Sequence, residues 1–80
     1  MTEFPRADLA TRMAAARLAA NMTQARLAQL SGASVPKISN YERGVTVPTL
    51  RTLYAIANAL DVSMDDLCGR VANVRKEDAE

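Results

Sequence analysis

The stretch ASVPKISNYERG, residues 33 to 44, carries Ser34, Pro36, Lys37, Ser39, Asn40 and Arg43 close together. These are groups for contact: hydroxyls, a carboxamide, an ammonium and a guanidinium that donate or accept hydrogen bonds. Ile38 and Tyr41 in the same stretch are apolar and suit packing. Groups for catalysis are scarce. Histidine is absent, which removes the commonest general base and the commonest metal ligand. The one cysteine is Cys68, so a zinc site would need mostly carboxylates. Asp65 and Asp66 form a carboxylate pair, but acids in the first turn of a helix are favoured by its dipole without any catalytic duty. With no nucleophile–base set, the chain is not expected to be an enzyme, and no cofactor is implied. The contact chemistry needs elements to position it.

Helical spacing runs through most of the chain. The first helix is expected to begin near Pro5 or Asp8, with Leu9, Met13 and Ala16 in register, and to end at Asn21. Thr23 caps a second helix, TQARLAQL, with Leu27, Ala28 and Leu30 turned inward, and Ser31-Gly32 stops it. Ser34 caps the third helix, where Pro36 is tolerated because first-turn amides lack internal partners. Gly44 closes it, and VTVP follows as an extended loop. Thr49 caps a fourth helix with Leu50, Leu53, Tyr54, Ala57 and Leu60 on one side. Ser63 caps a short fifth helix. Tyr41 and Tyr54 are both expected in the core. No strand-like alternation or internal repeat interrupts this pattern, so the chain is all-α with five helices. Residues 1–68 read as one domain and 69–80 as a C-terminal tail, solvated or used for dimerisation.

Eighty residues fit a single small domain with a local core. Aromatics are 4% of the chain and Trp is absent, which favours closely packed small helices. No stretch approaches the roughly 20 apolar residues of a membrane span, and no signal peptide opens the chain. A lone cysteine cannot form an internal disulfide, so a reducing cytoplasm is expected. The net charge of +1 hides an asymmetry. Arg12, Arg17, Arg26, Lys37, Arg43 and Arg51 face Glu42 alone, whereas Asp61, Asp65, Asp66, Glu77, Asp78 and Glu80 dominate the end. A basic centre points toward a polyanion.

Three positions join the second and third helices into one device. Ala28 is small enough for the helices to cross closely. Gly32 accepts the positive φ of a sharp turn. Ile38 drives a branched side chain into the angle between them. This is the helix-turn-helix arrangement, whose second helix can lie in the DNA major groove.

MTQARLAQLSGASVPKISNYERG followed by PTLRTLYAIANALDVSMDDL resembles the Cro/phage-repressor, or xenobiotic-response-element, helix-turn-helix family from about Leu9 to Leu67. The resemblance implies a compact five-helix, lambda-repressor-like domain with the helix-turn-helix at helices 2 and 3. It also assigns roles. Thr23 and Gln24 open the second helix, where a family glutamine binds a DNA phosphate; a helix N-terminus is itself an anion site. Ser34, Val35, Pro36, Lys37, Ser39 and Asn40 fall where the family's third helix meets bases and phosphates. Arg17 and Glu42 match a family ion pair that pins the first helix to the third. Arg43, Thr49 and Arg51 complete the expected DNA-binding set.

Departures from the family pattern locate the specificity. Val35 and Pro36 replace common polar residues and offer only apolar contacts, for instance to a thymine methyl. Asn40 is then the candidate for a bidentate base contact, with adenine its usual partner. Arg43 and Lys37 reach guanine or a phosphate. Asp61 stands where the family commonly has glycine, which should alter only the last turn of the fourth helix. VTVP lacks the usual lysines. The expected function is that of a small transcriptional repressor binding duplex DNA as a homodimer on an inverted repeat, with a seam of Met64, Leu67, Cys68 and Val71 and no evident small-molecule effector. The competing reading is an antitoxin-like protein-interaction module that binds DNA secondarily, its partner surface supplied by the tail after Gly69.

Overall fold

The computed structural model describes residues 4–69. Among them are five helices and no strand: α1 (Arg6–Ala19), α2 (Gln24–Ser31), α3 (Val35–Glu42), α4 (Leu50–Leu60) and α5 (Met64–Cys68). Val71 and the rest of the tail lie outside the described residues, and so does the tail surface of the protein-interaction reading.

Caps set the helix boundaries. The hydroxyls of Thr23, Ser34, Thr49 and Ser63 accept from the backbone N–H three residues on, at 3.0, 3.3, 3.2 and 2.9 Å. Each thereby satisfies one of the orphan amides of a helix start. α1 begins at Arg6 after Pro5, with no side-chain cap. At the other ends the chain turns through left-handed residues: Asn21 after α1, Gly32 after α2, and Asp61 after α4. α3 ends in a Schellman motif. Gly44, at φ +73°, donates to the carbonyl of Tyr41 at 3.1 Å, and Val45 N–H donates to the carbonyl of Asn40 at 2.9 Å.

The helices pack α2 on α3 and α4, α1 on α3 and α5, and α4 on α5. Leu9 and Met13 of α1, Leu27 and Ala28 of α2, Ile38 and Tyr41 of α3, and Leu67 of α5 close around Leu53, Ile56, Ala57 and Leu60 of α4. Every fully buried side chain among those described is apolar, and Tyr41 is buried at 8% exposure beside them. Ile38 is wholly buried, and a side chain of its size contributes about 2 kcal/mol by leaving water. Its depth, with the nearly buried Ala28 beside it, fixes the angle between α2 and α3.

Three inward expectations are corrected. Leu50 and Tyr54 are 75% and 60% exposed, and Leu30 is also exposed. The buried stripe of α4 runs through residues 53, 56, 57 and 60, and Leu50 and Tyr54 lie to one side of it. Ile56, three residues after Leu53, takes the core position assigned to Tyr54. Leu30 is more than half a turn round α2 from Ala28, which already faces the core. Of the expected dimer seam, Leu67 alone is corrected: it is 1% exposed within its own chain and so is not available to a second copy. Met64 and Cys68 are half-buried against the same core.

Candidate nucleic-acid interface

α3 presents two faces. Ile38 and Tyr41 are buried, while Ser34, Val35, Pro36, Lys37 and Arg43 are exposed and Ser39 and Asn40 are half-buried. The helix starts at the tight turn after Gly32, whose N–H donates to the carbonyl of Ala28 at 2.9 Å. No side chain fills the space above Gly32; only its φ of +81° favours glycine there. The outer face of α3 is thus exposed at its start, through Ser34, Val35, Pro36 and Lys37, and half-buried at Ser39 and Asn40.

Its polar groups are already organised. Arg43 Nη2 donates to Asn40 Oδ1, and Arg43 Nε donates to Ser39 Oγ at 3.4 Å. Lys37 and Arg51 are exposed, and Arg26 Nη1 donates to Gln29 Oε1 at 3.0 Å. Among the described residues the one ion pair is Arg17–Glu42, so Arg26, Lys37, Arg43 and Arg51 keep their charges uncompensated by a carboxylate. The hydroxyls of Thr23 and Ser34 use their acceptor capacity in capping and retain a proton to donate. Thr49 differs: besides capping, it donates to Thr52 Oγ1 at 3.1 Å, so its proton is engaged within the helix start.

Behind this face Arg17, Gln24 and Glu42 come together. Arg17 Nε donates to Glu42 Oε2 at 2.7 Å and Arg17 Nη2 donates to Oε1 at 3.1 Å, a forked pair with both side chains largely buried. Arg17 Nη1 also donates to the carbonyl of Met22 at 2.8 Å, holding the link into α2. The hydrogen bond that Arg17 donates to Glu42 raises the Arg17 pKa above its ordinary value, burial opposes that shift, and the carboxylate charge adds to it. Gln24 Nε2 donates to Glu42 Oε1 at 3.0 Å. Pairing of Arg17 with Glu42 was legible from the sequence. The capture of Gln24 by the same carboxylate was not, because nothing in the spacing of residues 24 and 42 signals it.

No three His, Cys, Asp or Glu side chains among the described residues stand together as metal ligands. Asp65 and Asp66 occupy the first turn of α5, where Asp66 N–H is bonded to Ser63. No helix among these residues is long and apolar enough to cross a membrane.

Known proteins share this arrangement. Residues 13–67 match the family model described as helix-turn-helix (HTH_3). The cryptic phage CTXphi transcriptional repressor RstR of Vibrio cholerae serotype O1 is 46% identical over 61 residues, which cover 76% of this chain and 54% of that protein. The chain thus spans about half the length of this curated relative. Among solved structures, the restriction-modification controller protein C.AhdI from Aeromonas hydrophila superposes with a TM-score of 0.74 at 30% identity, covering 76% of this chain and 92% of that one. The clp gene regulator ClgR from Corynebacterium glutamicum superposes with a TM-score of 0.77 at 25% identity, covering 96% and 84%.

Proposed function

The chain belongs to the helix-turn-helix (HTH_3) family matched by its residues 13–67, and on that premise we propose that it is a DNA-binding transcriptional regulator acting as a repressor. One observation carries this reading: the outer face of α3 exposes Lys37 and Arg43 beside the half-buried Asn40, and no carboxylate among the described residues pairs with either cation. α3 is the recognition helix and lies in the major groove. Ser34, Val35, Pro36, Lys37, Ser39, Asn40 and Arg43 face bases and phosphates there. The N-terminus of α2, with Thr23 and Gln24, holds a phosphate, aided by the dipole and unpaired amides of the helix start. Arg51 and the backbone at Thr49 grip the strand beyond α3. Phosphate contacts set the register; Asn40 and its neighbours read the sequence.

A module this small touches few base pairs, so a homodimer places two α3 helices on half-sites about 34 Å apart. Leu67 being core, the exposed apolar pair Leu50 and Tyr54 at the start of α4 is the surface that a second copy covers. The relative RstR, a transcriptional repressor by name, supports the repressor assignment.

Selection of bound sequences from random duplex DNA, at one stated salt concentration, tests the reading. A two-fold symmetric site is expected. Binding of all duplexes alike would overturn sequence-specific regulation.

A further inference from the structure

Asn40 and Arg43 do not stand as separate side chains on α3. They lie three residues apart on one helix face, and the Arg43 guanidinium donates to the carboxamide oxygen of Asn40. Two further restraints hold the pair. Arg43 Nε donates to Ser39 Oγ at 3.4 Å. The backbone carbonyl of Asn40 accepts from Val45 and Thr46 at 2.9 and 3.4 Å, which ties the residue into the turn after α3.

This pairing changes what Asn40 offers to a base edge. An unengaged carboxamide presents an acceptor beside a donor, the complement of adenine, whose major-groove edge is the N6 amino group beside N7. Here the acceptor is turned toward a cation, and an adenine amino hydrogen approaching that oxygen meets the positive guanidinium. Oδ1 keeps a second lone pair, but the guanidinium beside it disfavours a further positive base edge, so the groups left for a base are chiefly the Nδ2 amide and the unused N–H groups of Arg43. All of these are donors. The base edge with two adjacent acceptors, N7 and O6, is guanine.

We propose that Asn40 and Arg43 act as one unit that reads guanine, with Arg43 setting the base preference of Asn40. This rests on α3 entering the major groove, and it reverses the adenine expected for an isolated asparagine. Arg43 is thus a specificity-determining residue as well as a positive charge near the backbone.

Sequence selection on random duplex DNA with the wild type, Asn40→Ala and Arg43→Ala tests the unit, each variant first checked for an unchanged helical circular dichroism spectrum. The position that loses its preference in Asn40→Ala should be guanine in the wild type. In Arg43→Ala the same position should turn to adenine, with the guanine-to-adenine ratio falling roughly tenfold, the size of one good bidentate pair. Adenine there in the wild type, guanine kept undiminished in Arg43→Ala, or guanine lost with no gain of adenine would each overturn the unit. Absence of any enriched sequence with the wild type would instead overturn the regulator reading itself, which separates the two failures.

Discussion

Gln24 and Glu42 are bonded across the helix-turn-helix, Gln24 Nε2 donating to Glu42 Oε1 at 3.0 Å. The first residue of α2 is thereby oriented by the last residue of α3. Because the same carboxylate also receives the fork of Arg17, one side chain joins α1, α2 and α3. The start of α2 and α3 are mechanically one piece, so the two DNA contacts proposed for them would keep a fixed separation.

Removing Glu42 should therefore cost stability as well as affinity. Glu42→Ala leaves the largely buried Arg17 without its counter-charge, a loss of about 3 kcal/mol by analogy with broken buried pairs. Urea denaturation measures it, and a loss under about 1 kcal/mol would show the pair to behave as an exposed one. The pH dependence has a definite sign. The Arg17 pKa is raised in the folded state, so its contribution is complete below the ordinary arginine value and fades only as pH climbs through the raised one. The stability difference between wild type and Arg17→Met should stay constant between about pH 7 and pH 10.

Gln24 and Lys37 should separate by their salt dependence. With Gln24 as the proposed neutral phosphate ligand, Gln24→Ala should weaken binding to all duplexes by about 1 kcal/mol. No counterion is released by a carboxamide, so the slope of log affinity against log salt should not move. Lys37→Ala, if Lys37 sits on a phosphate, should lower that slope by about one. Titrations by fluorescence anisotropy at several salt concentrations decide between them. An unchanged slope for Lys37→Ala would move Lys37 off the backbone.

Leu50 and Tyr54 give the proposed dimer a direct test. Neither belongs to the core, so Leu50→Ser with Tyr54→Ser should leave the thermal transition of the monomer nearly unchanged. Sedimentation should show the double variant shifted from dimer to monomer, and binding to a full two-fold site should fall toward that of a half-site. A variant that still sediments as a dimer places the seam elsewhere.

Much of this was legible in the sequence because it depends on local chemistry. Cap residues such as Thr23 and Ser34 signal helix starts within one turn, and Gly32 signals the left-handed turn by itself. Ala28, Gly32 and Ile38 together specify the arrangement of α2 and α3. The errors arose where the rotation of a helix about its axis decides burial. In LRTLYAIANAL, Leu50 and Tyr54 fit an apolar stripe as well as Ile56 does, and only contact with α2 and α5 chooses between them. The bond of Gln24 to Glu42 and the shielding of the Asn40 carboxamide were out of reach for a different reason. Both depend on which rotamer a polar side chain adopts once its neighbours are in place.

Asp61 offers a last test, one in which stability should rise. It ends α4 at φ +58° and ψ +44°, the left-handed conformation that costs a side-chain-bearing residue about 1 kcal/mol relative to glycine. Its N–H still closes the helix on the carbonyl of Asn58 at 3.2 Å, and Val62 N–H reaches Ala57 at 3.0 Å, so the turn is intact despite the aspartate. Asp61→Gly removes the strain but enlarges the freedom of the unfolded chain, and the two effects partly offset. A net gain of about 0.5 kcal/mol is expected in urea denaturation. Asp61 is remote in sequence from α3, so the bound sequence should not change. The opposite substitution at the equivalent turn, Gly32→Ala, introduces the same strain where nothing crowds the added methyl, and should cost about 1 kcal/mol. If Asp61→Gly destabilises instead, the aspartate side chain makes a compensating interaction at the helix end that its backbone geometry does not reveal.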